Sequence, residues 1–404
     1  MKVIFLIFID SYHMLYFIIR PIVRLTFRIF FSKIYLHHLE RIPRDRPVLI
    51  SSNHPSAFLE ACLLATHFPG TLHFLVRGDI FINKYIIWVL KQLHLSPIYR
   101  FADGFKNLRA NESTFNDCYK RLANNEILVV YSEGNTLQEK RLRPIQKGLA
   151  RIAYGALDAF PEMKNLCIVP LGVNYTHPND FRSEVFVEAG YPIELNEYYA
   201  RYKEDNVKAI SDLTRTVEEA MKPLVIHVNH DDDLPLLESL WQFNKAKSKV
   251  PFWPVVERSG ERYSLDKKTA DLINTMNDED KSMLVSQIVA GKETTSTSLL
   301  RNLLIIPAMT GKYLNWLPLF ISRQIATSKV KRIEFFASVL VGTGMFMYLF
   351  YLILIALVFH WICCCAWLSL IAVTVTGLIY LYYSFLVDQS KLASFKEANQ
   401  NLKL

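Results

Sequence analysis

The chain has 404 residues, enough for one large domain or two of ordinary size. Its 46 Lys and Arg outnumber 38 Asp and Glu, and the formal charge of +8 suits anionic lipid surfaces, nucleic acid or phosphorylated substrates. Six cysteines show neither metal-ligand spacing nor a disulfide framework, so nothing in the composition points to an extracellular domain.

Residues 1–40 are predicted to lie at a membrane surface. The opening MKVIFLIFID is too short for a span and lacks a small-residue cleavage site, so we expect no removed signal peptide. Farther on, cations recur among apolar positions at Arg20, Arg24, Arg28 and Lys33. On a helix they form a basic stripe beside an apolar face, typical of a segment in the headgroup layer. The alternative is a helix packed on the core with solvated arginines.

Residues 41–205 alternate β-rich runs with helical stretches. The predicted strands are 48–53, 72–78, 127–134, 167–175 and 185–193. The predicted helices are 56–68, 81–93, 112–123 and 145–160. This alternation predicts an α/β domain with a mostly parallel sheet flanked by helices. Residues 206–334 become helical and more charged, and we derive no function for this extension.

Residues 335–404 are predicted to form a membrane hairpin with a short tail. From Phe335 to Val387 the chain has 53 residues without Asp, Glu, Lys or Arg. One helix of that length would measure roughly 80 Å, whereas a bilayer core is about 30 Å thick, so two spans are expected, with the turn near His360 and Trp361. Cations on both flanks favour the cytoplasmic side for both ends. The alternative is a buried helical pair in a soluble core.

The segment SSNHPSAFLEA at 51–61 holds the first candidate for chemistry. A strand ending near Ile50 delivers Asn53 and His54 to its carboxyl end, where α/β sheets place ligands. A histidine there can act as a general base near neutral pH if a carboxylate orients its ring, and Glu60 is the nearby carboxylate. Six positions apart on one helix the two would diverge by about 120°. They can meet only if His54 precedes the helix and the chain turns between them.

Three later segments carry further polar groups. VRGDIFINKYIIWVLKQLHLSPIYR ends at Arg100, and VVYSEGNT contains Glu133 and Gly134. Cations follow at Arg141, Arg143 and Lys147, and such side chains can bind phosphate oxygens. The last segment, IVPLGVNY, resembles a core strand. Each feature alone is unspecific.

In order and spacing, the four segments resemble the motifs of the glycerolipid acyltransferase superfamily, which includes lysophosphatidic acid and glycerol-3-phosphate acyltransferases. The resemblance covers roughly residues 40–195. It implies that His54 is the catalytic base and Glu60 its partner. It also implies a substrate-binding group, with Asn53 in the first motif: Asn53, Arg100, Glu133, Gly134, Arg141, Arg143 and Lys147.

Two departures from the family pattern concern the catalytic pair and the acceptor, respectively. Five residues separate His54 from an acid that is Glu rather than Asp. The usual Phe–Pro–Glu–Gly–Thr–Arg is Tyr–Ser–Glu–Gly–Asn–Thr at 131–136, so its final arginine is missing. Arg141 or Arg143 can replace that arginine, or the acceptor is not glycerol phosphate.

The expected function is O-acyl transfer from acyl-CoA or acyl carrier protein to glycerol 3-phosphate or a lysophospholipid, in phospholipid biosynthesis. Because a thiolate leaves easily, we expect no metal and no other cofactor. Expected partners are the membrane and the acceptor lipid, with the catalytic domain on the cytoplasmic face and without nucleic acid. One alternative keeps the chemistry on a non-glycerophosphate lipid, and another is a catalytically silent membrane scaffold. A hydrolase is disfavoured because no Gly–x–Ser–x–Gly elbow is present.

Overall fold

The computed structural model describes residues 14–99, 111–163, 165–248, 250–288 and 299–399. They fall into two compact units. The first, called the sheet unit, takes the chain up to Pro178 together with Arg182–Ile226 and Val256–Arg258. The second, called the helical unit, takes Asn179–Phe181, His227–Val255 and the chain from Ser259 onward.

The sheet unit contains nine strands within the described ranges. They are β1 (Lys33–His37), β2 (Val48–Ser52), β3 (Leu72–Arg77), β4 (Leu95–Ile98), β5 (Ile127–Tyr131), β6 (Cys167–Tyr175), β7 (Glu184–Ala189), β8 (Ile193–Glu194) and β9 (Val256–Glu257). Its helices are α1 (Met14–Phe30), α2 (Ala57–His67), α3 (Lys84–Gln92), α4 (Asn111–Ala123), α5 (Gly148–Ala159), α6 (Asn196–Glu204) and α7 (Asn206–Met221).

One sheet joins these strands in the order β4-β3-β5-β2-β6-β7-β1-β9, with β8 paired to β6. The pairs from β4 to β6 are parallel, as are β7–β1 and β1–β9, whereas β7 and β8 run antiparallel to β6. The predicted mostly parallel α/β fold is therefore confirmed. The strands β2, β6 and β7 are buried along their whole length, as expected of a sheet covered on both faces.

The predicted strands and helices of residues 41–205 all appear, with ends shifted by a few residues. The chain also adds short strands that no pattern indicated. Among these, β1 lies before position 41, where the sequence suggested the domain begins, and β4 contains Pro97. A proline is tolerated there because β4 is an edge strand.

Two arginines of the basic stripe, Arg20 and Arg24, face α2 rather than headgroups, whereas Arg28 is exposed as the stripe predicts. Arg24 donates to the carbonyl of Thr66 at 2.8 Å, Arg20 donates to the carbonyl of Phe68, and the Tyr16 hydroxyl donates to Ala65. These carbonyls lie at the carboxyl end of α2, where the backbone carbonyls have no N–H partner within the helix and attract cations. The outward face of α1 is instead apolar, with Leu25 61% exposed.

The helical unit contains α8 (Leu234–Ser248), α9 (Glu261–Thr275), α10 (Asp278–Gln287), α11 (Leu299–Leu314), α12 (Trp316–Lys329), α13 (Phe336–Cys363) and α14 (Ala366–Ala398). Two stretches, Ile333–Ile362 and Ala366–Ala398, are long and apolar enough to cross a membrane. The predicted pair of spans is thus present as candidates. The turn between them was placed wrongly, since α13 continues past His360 and the chain turns at Cys364, whose φ is +54°.

Candidate active site

The predicted catalytic residues lie at the carboxyl edge of the parallel strands. Ser52, the last residue of β2, pairs with Tyr131, the last residue of β5. Because the two strands are parallel neighbours, the segments that follow them emerge side by side. The backbone N–H of His54 therefore donates to Glu133 Oε2 at 3.0 Å.

His54 and Glu60 meet through the turn that their spacing requires. His54 precedes α2, and Glu60 lies in the first turn of that helix, where the Ser56 N–H donates to Glu60 Oε1. The other oxygen, Oε2, is 3.5 Å from His54 Nδ1. This distance is longer than that of a good N–H···O bond, as catalytic pairs often show without substrate.

The surroundings of Glu60 control its charge. Its side chain is fully buried, and this burial raises the pKa of the Glu60 carboxyl while the adjacent His54 opposes the rise. A buried carboxylate is stabilised most strongly when a neighbouring group becomes positively charged. The pair is thus arranged to stabilise an imidazolium at His54.

Two tyrosines complete this environment. The Tyr131 ring lies flat against the His54 imidazole, with 4.0 Å between centroids and 16° between planes. Burial raises the pKa of the Tyr131 and Tyr175 hydroxyls well above 10, and the Glu60 charge adds to that rise. Among the described residues, no hydrogen-bond partner is found for His54 Nδ1, Glu60 Oε2 or either tyrosine hydroxyl. Buried polar groups of this kind are uncommon and mark functional sites or ordered water.

Glu133 and Arg143 form a second charged pair beside His54. The backbone N–H of Arg143 donates to Glu133 Oε1 at 3.0 Å, and its guanidinium donates to Oε2 at 2.5 Å. The guanidinium also donates to the carbonyl of Asn135. Glu133 therefore connects the His54 backbone to Arg143, so a carboxylate predicted to contact substrate is occupied by protein donors.

The other predicted substrate-binding residues lie in several places. Asn53 is buried and bonds the backbone of Val173 in both directions, at 2.9 and 2.7 Å, so its amide joins β2 to β6. Arg141 pairs with Glu139 at 3.1 Å, and Lys147 donates to Ser211 at 2.8 Å. Arg100 lies outside the described residues.

Gly134 serves the turn after β5. Its φ is +71°, a conformation that residues with a side chain rarely adopt. A Cβ added there would also lie 2.9 Å from Gln146 Cγ. The glycine thus allows the chain to turn back toward Arg143.

Sequence reasoning did not assign roles to Tyr131 or Tyr175. An available signal was the register of an aromatic residue at the end of β5, two positions before Glu133. Neighbouring parallel strands that end together bring such a ring beside the residue that follows β2. The sequence could not reveal this without knowing that β2 and β5 are neighbours.

A group of potential metal ligands lies elsewhere in the sheet unit. Side-chain atoms of His37, His38 and Glu188 lie within 4.8 Å of one another. His37 Nδ1 is 2.7 Å from Glu188 Oε2, and His38 Nδ1 is 3.1 Å from Glu40. These contacts are hydrogen bonds between imidazole nitrogens and carboxylates. Because β1 is antiparallel to β2, its carboxyl end, where this group lies, is at the opposite end of the strands from His54.

Comparison with known proteins identifies the family of this part of the chain. The family model described as acyltransferase matches residues 33–174, which include β1 to β5 and most of β6. These residues are therefore an acyltransferase domain. Together with its similarity to glycerol-3-phosphate O-acyltransferases of Saccharomyces cerevisiae, the match places the domain in the glycerolipid acyltransferase superfamily.

The yeast glycerol-3-phosphate O-acyltransferase 1 is 31% identical over 165 residues, covering 38% of this chain and 22% of its own length. Glycerol-3-phosphate O-acyltransferase 2 is 28% identical over 149 residues, covering 36% and 20%. The chain thus spans about a fifth of the length of these relatives. The structure of the 1-acyl-sn-glycerophosphate acyltransferase PlsC from Thermotoga maritima aligns with 50% of this chain and 78% of its own, at 17% identity and a TM-score of 0.36.

Proposed function

We propose that the protein is a membrane-bound O-acyltransferase acting on phosphate-bearing glycerolipid precursors. The acyl donor is acyl-CoA or acyl carrier protein, and the acceptor is glycerol 3-phosphate or a lysophospholipid. One observation carries the proposal: the His54 ring faces the Glu60 carboxylate, and the His54 backbone N–H donates to Glu133, which pairs with Arg143. A base and a phosphate-binding cation are thus joined through Glu133.

In this mechanism His54 is the general base. Its Nδ1 faces Glu60, so Nε2 takes the proton of the acceptor hydroxyl as that oxygen attacks the thioester carbonyl. Collapse of the tetrahedral intermediate breaks the C–S bond, and the sulfur leaves as a thiolate that accepts the proton. Because a thiolate is a good leaving group, the proposal requires no metal, no other cofactor and no covalent enzyme intermediate. Histidine base catalysis of this kind contributes about 10² to 10⁴ in rate.

Arg143 supplies the cation that binds the acceptor phosphate. Thr136 stands where the family motif has its arginine, and the turn at Gly134 returns the chain so that Arg143 lies against Glu133. The side chain of Arg143 is 15% exposed, and its guanidinium is held in place by Glu133 and the carbonyl of Asn135. A planar guanidinium can form two parallel bonds to a phosphate. Arg141 and Lys147 add positive charge in the same segment.

The candidate spans fit substrates that reside in lipid. We propose that α13 and α14 anchor the chain with the catalytic domain on the cytoplasmic face. Cations flank the apolar run on both sides, at Lys329, Lys331 and Arg332 before it and at Lys391 and Lys396 after it. The exposed apolar face of α1 would rest among the headgroups.

The purified full-length protein, supplied with acyl-CoA or acyl carrier protein, should acylate glycerol 3-phosphate or lysophosphatidic acid but not monoacylglycerol. His54→Ala should reduce the rate by at least about 10². Arg143→Ala should raise KM for the phosphate acceptor about tenfold or more, and Arg143→Lys should restore it only in part. Arg46→Ala, which removes an ion pair on the sheet unit's surface, is the matched control.

Equal acylation of monoacylglycerol would instead support a second candidate, the same chemistry on a lipid without phosphate. The missing motif arginine at Thr136 favours that candidate. A folded protein inert toward every acceptor would support the silent scaffold.

A further inference from the structure

Helices α11 and α12 of the helical unit bury small or polar residues and expose many large apolar ones, whereas helices of a water-soluble protein usually do the reverse. Their inward positions, three to four residues apart, are small or polar: Ala308, Gly311, Asn315, Pro318, Ser322 and Ala326. Most of their outward positions are large and apolar, with Leu303 67%, Ile306 79% and Tyr313 72% exposed, although two cations, Lys312 and Arg323, are also exposed. Soluble proteins rarely leave such patches uncovered. In a bilayer, by contrast, small residues pack helices together.

The inward faces lie against the two candidate spans. A Cβ added to Gly311 would lie 2.0 Å from the carbonyl oxygen of Thr376, so the backbones of α11 and α14 are in contact there. A Cβ added to Gly344 of α13 would lie 3.9 Å from Ser322 Oγ of α12. Close backbone approach through glycine is typical of helix packing in membranes.

The turn between α11 and α12 has its polar groups bonded within the unit. Asn315 Nδ2 donates to the carbonyls of Gly311 at 2.8 Å and Val373 at 3.4 Å, and the Tyr348 hydroxyl donates to Asn315 Oδ1. The Tyr351 hydroxyl donates to the carbonyl of Leu314. Irregular backbone at membrane depth is tolerated only where protein satisfies its polar groups in this way.

The pairing of α11 with α14 gives the depth of this turn. Gly311 lies beside Thr376 and Asn315 beside Val373, so the two helices are antiparallel. The same register brings Arg301 level with about position 387, where the uncharged run ends. From there to Val373 the distance is roughly 21 Å at about 1.5 Å per residue. A hydrocarbon core is about 30 Å thick, so the turn lies about two thirds of the way across it.

We propose that α11 and α12 form an intramembrane hairpin whose outer face is covered by lipid acyl chains. The chain enters from the side that holds the free ends of α13 and α14, turns at Asn315 and returns to that side at Lys329. Arg323 lies six residues before Lys329, about 9 Å along the axis, and its long side chain reaches the same headgroup layer. The proposal rests on α13 and α14 spanning the membrane.

Spin labels in the full chain test the hairpin without an activity assay. Single cysteines replace Leu303, Ile306 or Tyr313, after the native cysteines are changed to serine or alanine. The protein is reconstituted in phosphatidylcholine–phosphatidylglycerol vesicles, and label collisions with oxygen and with a water-soluble nickel chelate are measured. Two control sites are Leu354→Cys on α13 and Met283→Cys on α10, both exposed.

The hairpin predicts that all three labels collide often with oxygen and rarely with the nickel chelate. The oxygen-to-nickel ratio should be higher at Ile306 and Tyr313 than at Leu303, and several times higher than at Met283. Nickel collisions at Tyr313 equal to those at Met283, with Leu354 still shielded, would overturn the hairpin alone. Nickel access at Leu354 would overturn the spans on which it rests. Low collision with both reagents would show that protein, such as a second copy of the chain, covers the face and would also overturn the proposal.

Discussion

Replacing Glu60 with glutamine separates the proposed role of this residue in catalysis from any role in stability. The amide has the same shape, so it fits the fully buried position and can still accept from the Ser56 N–H. It carries no negative charge, however. The variant therefore removes the stabilisation of a protonated His54 while leaving the base in place.

The size of the effect follows from the geometry. Across the 3.5 Å between Glu60 Oε2 and His54 Nδ1, opposite charges attract by about 5 kcal/mol at an effective dielectric constant of about 20. This energy sets a ceiling of about 10³- to 10⁴-fold in rate. Because the contact is longer than a good hydrogen bond and the amide keeps a dipole, we expect kcat to fall about 10²- to 10³-fold. KM should stay nearly unchanged, since in the proposed mechanism Glu60 contacts His54 rather than the substrate.

The assay is steady-state acyl transfer, with thermal unfolding measured on the same preparation. Burial raises the pKa of the Glu60 carboxyl, so ionisation above its usual value of 4.5 makes the fold progressively less stable as pH rises. Near about pH 8, Glu60→Gln should therefore unfold at the same temperature as the parent or higher. The double variant with His54→Ala should lose little more activity than His54→Ala alone. A glutamine variant that keeps most of its kcat refutes the proposed pair.

Two further predictions concern neighbouring rings. Tyr131→Leu should lower kcat by up to about tenfold, because it removes a stacked ring worth about 0.5–1.5 kcal/mol. Tyr131→Phe keeps the ring against His54, so its kcat should stay close to that of the parent. Equal losses of kcat in both variants would contradict a positioning role. Burial lowers the pKa of His67 from 6.5 to about 4, so the unfolded chain binds a proton that the fold excludes. The free energy of unfolding should therefore fall by about 3 kcal/mol as the pH is lowered from 6.5 to about 4. Chemical denaturation at a series of pH values would measure this fall. In His67→Gln it should be much smaller.

Much of the sheet unit was predictable because local patterns carry the information. Each predicted strand of residues 41–205 is a short apolar run, and each predicted helix repeats its apolar positions with helical spacing. The four motifs identified the superfamily because their order along the chain is itself a sequence property. The two candidate spans followed from a run without charge. The turn between them was misplaced because every residue near it is apolar or small and no local signal marks where the chain reverses.

The sequence by itself determined which residues are candidates for chemistry, because residue type decides what can act as base, acid or cation. His54, Glu60 and Arg143 were predicted on that ground together with the order of the four motifs, which resembles that of a known superfamily. Only the tertiary structure decided what these residues touch. The parallel pairing of β2 with β5 placed Tyr131 against His54 and joined Glu133 to it, and the turn at Gly134 brought Arg143 to Glu133. The direction of Arg20 and Arg24 likewise depended on where α2 ends, because a helix with one basic and one apolar face fits either a membrane or the exposed carbonyls of another helix.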